Sequence, residues 1–570
     1  MIVLCDNRKL LLQAEGHLMV KGGPGSGKTT ISLYKAQNII DGGTLQPGQK
    51  ILFLSFARST VGRVIESARD ILSKESLKHL EVNTYHSFAW NIIQCFGKLL
   101  VKQKFITLLS PPDASSRFFG LNKEDRKAES KRIFSEEGIL SFDLFAELAS
   151  EILQRAKAVR NLLSDSYPYI FVDEFQDTDV YEWQLIQLLG QKSTIIALAD
   201  PYQRIYDFRG ANPKRITEFN DHFSPKQFDF GRENNRSNGT DIADFGNDLL
   251  TGANKGKVYK NVIKNTYPYD GGEQMSSIKY NLMISLRRVK KLKPDGGWSI
   301  AILVKTKAST LAVSSYLSRS SSRLPEFGHE VLIDPAGPAL AAIVIGCLLE
   351  QRVRDETKPA LIADIIAHLR GRKEKITKVD LGFSEVLTNY QDGIKIKGKN
   401  KLLLVEEIEL IIDEIGKTNF EGIPERDWLK ARKLLENCKH DVLQNIYSDS
   451  KYIRLLNRGA VLSEKLAQSW RDSENYSNAK SAVKDALLQE HFSMANRAYS
   501  GIFVMTMHKS KGKEFDEVII WEDRYQSSIV PYEANASALE QARYLLRVAV
   551  TRSRTFTTIN TPSASPCILL

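Results

Sequence analysis

Short, near-continuous apolar runs punctuate this chain, and each is followed by a stretch whose apolar positions recur at helical spacing. Residues 17–20 (HLMV), 51–56 (ILFLSF), 169–172 (YIFV) and 194–198 (TIIAL) form a first set. Residues 299–304 (SIAILV), 501–505 (GIFVM) and 518–521 (VIIW) form a second set far downstream. A strand covered by helices on both faces has no solvated side, so it reads as an unbroken apolar run rather than an alternating one. The pattern predicts an α/β protein with two parallel sheets.

Two mostly helical stretches interrupt these sets. Residues 89–164 carry amphipathic, charged patterns over 123–140 and 142–162, and residues 340–495 carry longer ones over 402–415 and 427–437. Lys395, Lys397, Lys399 and Lys401 crowd one short segment of the second stretch, which reads as a solvated basic turn. The most apolar run, 339–349, falls short of the ~20 residues a membrane-spanning helix needs, so no membrane partner is expected.

Composition narrows the class. At 570 residues the chain should hold about three or four domain-sized units, and its 42% hydrophobic content can fill substantial cores. A formal net charge of +11 suits a polyanionic partner without demanding one. Cys5, Cys95, Cys347, Cys438 and Cys567 stand far apart with no C-x-x-C pair. Neither a zinc or iron–sulfur site nor a disulfide framework is predicted, and a reducing cytoplasm fits best. The N-terminus shows no cleavable signal pattern. Cys567-Ile568-Leu569-Leu570 matches the prenylation pattern literally, but nothing nearby is polybasic, and it is read as an ordinary tail.

The chemistry begins at Gly22-Gly23-Pro24-Gly25-Ser26-Gly27-Lys28-Thr29, a complete phosphate-binding loop between a predicted strand and a predicted helix. Glycines without Cβ atoms let successive backbone N–H groups turn inward on phosphates. Lys28 adds a point charge, Thr29 a hydroxyl for Mg²⁺, and the helix opening at Thr30 aims its positive dipole end at the same anion. A nucleoside triphosphate is the predicted ligand. Far downstream, the strand at 169–172 delivers Asp173 and Glu174 at its C-terminal end, where open α/β sheets bind their ligands. Asp173 would hold Mg²⁺, directly or through water, and Glu174 would polarise the water that attacks the γ-phosphate.

Asp173-Glu174-Phe175-Gln176-Asp177-Thr178 resembles motif II of the UvrD/Rep-like superfamily 1 helicases, and the other motifs of that family follow in its order. Ser55-Phe56-Ala57-Arg58 resembles motif Ia and Thr84-Tyr85-His86-Ser87-Phe88 motif Ib. The stretch from Asp200-Pro201-Tyr202-Gln203 through Tyr206-Asp207-Phe208-Arg209-Gly210-Ala211 is similar to motif III. Asn234-Asn235-Arg236-Ser237 falls on motif IV, Thr506 through Asp516 on motif V, and Glu540 through Arg552 on motif VI.

The resemblance implies two RecA-like domains, residues 1–88 with 165–237 and residues 238–339 with 496–570. Each would be interrupted by a helical insert, at 89–164 and 340–495. ATP would lie in the cleft between the RecA-like domains, and single-stranded or tailed duplex DNA across their top, travelled 3′-to-5′. Gln203 would touch the γ-phosphate, Arg236 and Arg552 would act as arginine fingers from the second sheet, and Glu514 would lie near the ribose. Phe56, Tyr206 and Phe208 would stack on bases. Thr84, His86, Arg209 and His508 would face the DNA or couple it to the cleft.

The chain also departs from the family. Asn235 stands where an aromatic residue usually stacks on adenine, and Gln13 lies too close to Gly22 to match the family's adenine-reading glutamine. Poor discrimination among nucleoside triphosphates is therefore expected. Arg58, Arg204 and Arg547 replace a common Asn, Ser and Tyr, adding charge near the implied ligand surfaces. No nuclease domain is visible. A tail-less core of this kind resembles the helicase subunit of two-gene bacterial defence systems such as Gabija, whose partner is a separate nuclease. Two readings follow: a translocating helicase, or a DNA-activated NTPase that regulates a nuclease and unwinds little.

Overall fold

A computed structural model describes residues 5–570 except 57, 102–104, 206–210, 232, 269–273, 321–323, 333–335, 373–375, 452–459, 493–498 and 525–527. The chain forms two compact units, one of Met1–Gly97, Phe145–Ile333 and Met494–Leu570, the other of Lys98–Leu144 and Asp334–Ser493.

The first unit holds two six-stranded sheets, every recorded pairing parallel. The first sheet contains β1 (Leu18–Lys21), β2 (Ile51–Ser55), β3 (Leu80–Thr84), β4 (Tyr169–Val172), β5 (Thr194–Ala199) and β6 (Lys226–Asp229) in the order β3-β2-β4-β5-β1-β6. The second contains β7 (Val262–Tyr267), β8 (Ser299–Val304), β9 (Glu330–Leu332), β10 (Gly501–Thr506), β11 (Phe515–Trp521) and β12 (Ser553–Pro562) in the order β9-β10-β8-β11-β12-β7. The apolar runs form as predicted because both faces are covered. Ile51 to Leu54 and Ile300 to Val304 are all fully buried, and Phe53 stacks on Phe171 of the neighbouring strand at 5.8 Å.

Residues 89–97 and 145–164, expected in the first insert, pack within this unit. Helix Phe145–Arg155 lies against helices Tyr85–Phe96 and Val180–Leu189. The tail also packs inward: Cys567 and Leu569 are buried in the core of the second sheet, and burial pushes the Cys567 thiol up to about 12.

Among its described residues, the second unit is helical apart from a short parallel pairing of Thr107–Leu108 with Ile139–Leu140. Its centre is helix Ala336–Leu349, buried at every residue from Gly337 to Leu349. A helix apolar all round belongs in a core. Gly346 lets the backbone of Lys480 come within 3.2 Å of where a Cβ would stand. The segment 395–401 is exposed apart from a half-buried Ile396 and runs into helix Lys399–Lys417. Among the described residues, no helix is long and apolar enough to cross a membrane.

Candidate functional site

In the first sheet, β4, β5 and β1 are neighbours, so their C-terminal ends bring three loops together. The phosphate loop follows β1, Asp173 and Glu174 follow β4, and Asp200 to Gln203 follow β5. Gly27 caps helix Lys28–Asp41 in the left-handed region at φ 84°. Gly25, at φ 77°, leaves no room for a side chain. A Cβ there would stand 2.4 Å from Asn234 Oδ1 and 2.8 Å from Arg236 Cβ. The same approach lets the Asn235 amide donate to the Gly25 carbonyl at 2.7 Å. Lys28 Nζ donates to the carbonyls of Gly22 (2.6 Å) and Gly23 (3.2 Å), so its charge is held over the loop. Burial lowers its pKa, opposed by Asp200, Glu174 and Asp173.

Asp173 is buried, and burial together with repulsion from Glu174 pushes its carboxyl up to about 6. Its Oδ1 accepts from the Glu174 amide at 3.0 Å. Glu174 is a non-glycine residue at φ 51°, a strained conformation held by the turn that follows β4. Burial would raise its carboxyl, but Lys511, Lys28 and a 2.6 Å hydrogen bond from Gln176 outweigh it and lower the pKa. Two adjacent carboxylates are thus driven apart in acidity, a pattern associated with functional sites. Among the described residues, no three His, Cys, Asp or Glu side chains gather as a metal cage. Asp173 and Thr29 suit a cation such as Mg²⁺, which takes one or two protein oxygens and completes its shell from phosphates and water.

The second sheet supplies cations. Arg552, buried just before β12, donates from Nη2 to Gln203 Oε1 at 3.1 Å. Burial and the nearby guanidiniums of Arg236 and Arg63 lower it to about 9. Lys511, after β10, is buried against Asp177, donates to the Gln203 carbonyl at 2.6 Å and lies 3.6 Å from Glu174. Arg236, expected from the second sheet, instead lies in the segment that follows β6 of the first sheet, donating to the Thr551 carbonyl at 3.0 Å and pairing with Glu514 at 2.8 Å. Glu514 also pairs with Arg63 and with Arg554. Burial alone would raise Glu514, but the three guanidiniums hold its carboxyl well below the ordinary range.

The DNA-facing candidates are spread differently. Phe56 and Thr84 stand at the C-terminal ends of the neighbouring strands β2 and β3. Thr84 is buried and accepts from the Ser87 amide as the cap of helix Tyr85–Phe96, whereas His86 in the first turn is exposed. His508 is half-buried in the short helix Met507–Ser510 after β10. Tyr206, Phe208 and Arg209 lie outside the described residues.

Comparison with known families matches this arrangement. Residues 6–137 and 128–224 match the UvrD/REP helicase N-terminal domain, and residues 299–561 match the UvrD-like helicase C-terminal domain. The chain belongs to the UvrD/Rep-like superfamily 1 helicases. Its two sheets are the RecA-like pair of that family. YjcD of Bacillus subtilis is 21% identical over 98% of this chain and 78% of its own length. The ATP-dependent DNA helicase PcrA of Staphylococcus aureus is 20% identical over 95% of this chain and 80% of its own. PcrA of Staphylococcus epidermidis is 21% identical over the same shares.

Several residues of this UvrD/Rep-like site had no individual role in the sequence reading. Lys511 and Arg63 lie inside or beside recognised motifs, but only their long-range partners single them out. Arg8, on helix Asp6–Gln13, is buried, donates to the Ser26 carbonyl at 3.0 Å and pairs with Glu233 at 2.5 Å. It is Arg8, rather than Gln13, that reaches the phosphate loop from this helix. One arginine in a mixed basic and apolar segment carries no periodic signal that would have found it.

Proposed function

We propose that this chain is an ATP-driven single-stranded DNA translocase and helicase, moving 3′-to-5′ and hydrolysing ATP between its two sheets. The observation that carries this reading is the split origin of the site. The loop, the carboxylates and Gln203 hang from the first sheet, while Arg552 and Lys511 come from the second and bond to them directly. Ser26 Oγ, in the phosphate loop, is buried with no hydrogen-bond partner among the described residues, which fits a bound triphosphate.

In this mechanism the loop amides and Lys28 hold the phosphates. Thr29 and Asp173 would hold Mg²⁺, which would supply charge neutralisation for the transferred phosphoryl group. Glu174, kept ionised by Lys511 and Lys28, orients the attacking water. Gln203, Arg236 and Arg552 stabilise the charge that develops. Cations that reach across a cleft complete the site only when it closes, which ties hydrolysis to motion between the sheets. Glu514 would release its arginines toward the nucleotide as it turns to the ribose.

Phe56, Thr84, His86, Tyr206, Phe208, Arg209 and His508 form the DNA track, where stacking of ~1–3 kcal/mol per base tolerates any sequence. The helical unit of 98–144 and 334–493 takes the place of the family's inserts. The similarity to the ATP-dependent DNA helicase PcrA supports ATP and DNA as the ligands.

Strand displacement on a 3′-tailed duplex, run beside phosphate release stimulated by single-stranded DNA, tests the reading. Both activities are expected. Displacement confined to 5′-tailed duplexes would reverse the polarity. Vigorous hydrolysis without displacement would favour the DNA-activated NTPase that signals to a separate nuclease in anti-phage defence.

A further inference from the structure

Arg547 occupies a position where the family usually carries tyrosine, and it is among the largest fully buried side chains in the molecule. It sits in the last turn of helix Ala536–Val550, five residues before Arg552. Nη1 donates to Asp200 Oδ2 at 3.1 Å, and Nη2 donates to Asn247 Oδ1 at 3.1 Å. Asn247 lies on helix Ile242–Thr251, which packs against Arg547's helix. That approach depends on Gly246, whose missing Cβ would stand 2.9 Å from Thr551 Cγ2.

The same oxygen of Asp200 that meets Arg547 also accepts from Gln203 Nε2 at 2.9 Å, and the other oxygen accepts from the Tyr202 amide at 3.0 Å. The far end of the Gln203 amide, Oε1, accepts from Arg552. Arg547, Asp200, Gln203 and Arg552 therefore form one chain of hydrogen bonds that leaves the second sheet's helix, crosses to the first sheet and returns. Both amide ends of Gln203 are specified, so its side chain has one orientation. Burial would raise the Asp200 carboxyl, but Arg547, Lys28 and Gln203 outweigh it and keep it ionised, able to accept from both neighbours at once. A tyrosine hydroxyl could not supply the forked pair of N–H donors that grips Asp200 and Asn247 together.

We infer that Arg547 is a positioning residue for hydrolysis. It fixes Asp200, which orients the Gln203 amide toward the phosphate end of the site, so that the orientation is set only while the two sheets are engaged. The inference rests on the proposed role of Gln203 in ATP hydrolysis. Two of the five guanidinium N–H donors of Arg547 are held, one by Asp200 and one by Asn247, and through Asp200 the side chain acts on Gln203.

The test is a double-mutant cycle of Arg547→Gln with Gln203→Ala, read as DNA-stimulated phosphate release. R547Q alone is expected to lower kcat about tenfold while KM for ATP stays within about twofold. In the Q203A background, R547Q should cost less than about twofold further, because the side chain it orients is gone. R547K, with one point charge, should recover part of the loss in the presence of Gln203 and none in its absence. Multiplying losses in the double variant, a rise in KM exceeding the fall in kcat, or an unchanged kcat would each overturn the inference. If R547Q does not fold, Asn247→Ala, which frees the other amino group, enters the same cycle with an expected loss of about threefold. Wild-type protein that hydrolyses no ATP would instead overturn the proposed function, independently of the cycle.

Discussion

The phosphate end of the cleft and the end expected to hold the base are built very differently. Around the loop, Lys28, Asp173, Glu174, Gln203, Arg236, Lys511 and Arg552 are buried or half-buried, and each has a bonded or ion-paired neighbour. At Asn235 the side chain is exposed, and its Nδ2 donates back to the Gly25 carbonyl at 3.3 Å instead of offering a stacking face. Arg8 is nearby but pinned by Ser26 and Glu233. Fixed charge is indispensable where phosphate charge develops, because dipoles and cations already in place need no reorganisation during reaction. Recognition of the base adds affinity and selectivity but not turnover, so it can weaken without disabling a motor.

This contrast is open to direct attack, beginning with its strongest side. Lys28→Ala should abolish both hydrolysis and strand displacement, and residual phosphate release from purified protein would show that the phosphate site lies elsewhere. Glu174→Gln and Arg552→Ala should each lower kcat by about a hundredfold or more while the protein still binds single-stranded DNA, as polarisation assays would record. On the weaker side, ATP and GTP should turn over within about fivefold of each other, the equivalent of one net hydrogen bond of ~1 kcal/mol. Strict ATP selectivity would mean that an adenine reader exists outside Asn235 and Gln13. The smallest effect is a gain: Asn235→Tyr should lower KM for ATP about two- to fivefold relative to CTP, since an aromatic contact is worth ~0.5–1.5 kcal/mol and a purine offers the larger face. No change would place the base away from residue 235.

Much of the architecture was legible before any tertiary contact was known. The loop at Gly22, strands β2, β4, β5 and β8, and the carboxylates at the end of β4 are encoded by residues adjacent in the chain. The strands that escaped notice share a reason. β3, β6, β7 and β9 are the edges of the two sheets, where one side of the strand is unpaired and the apolar run is weaker. β12 lies inside its sheet but is rich in threonine, and Thr557, Asn560 and Thr561 are nonetheless buried. Thr561 donates to Glu522 at 2.8 Å and Asn560 Oδ1 accepts from Asn281 at 2.8 Å, so a polar-looking segment could enter the core. Glu514 shows the converse: nothing in its own segment marks the three arginines, Arg63, Arg236 and Arg554, among which the structure places it.

By itself, the sequence determined that this chain builds two parallel α/β sheets and carries a phosphate loop with paired carboxylates, because glycine conformations, apolar runs and helix starts depend on neighbours a few residues away. Only the tertiary structure decided which charges meet. Arg552 and Gln203 are 349 residues apart, and Arg547 and Asp200 are 347 apart. No local pattern distinguishes a buried, committed arginine from a solvated one, since the difference lies in its partner and in the water that partner excludes. The fold turned Arg547 from one added charge into part of the hydrogen-bonded chain that orients Gln203.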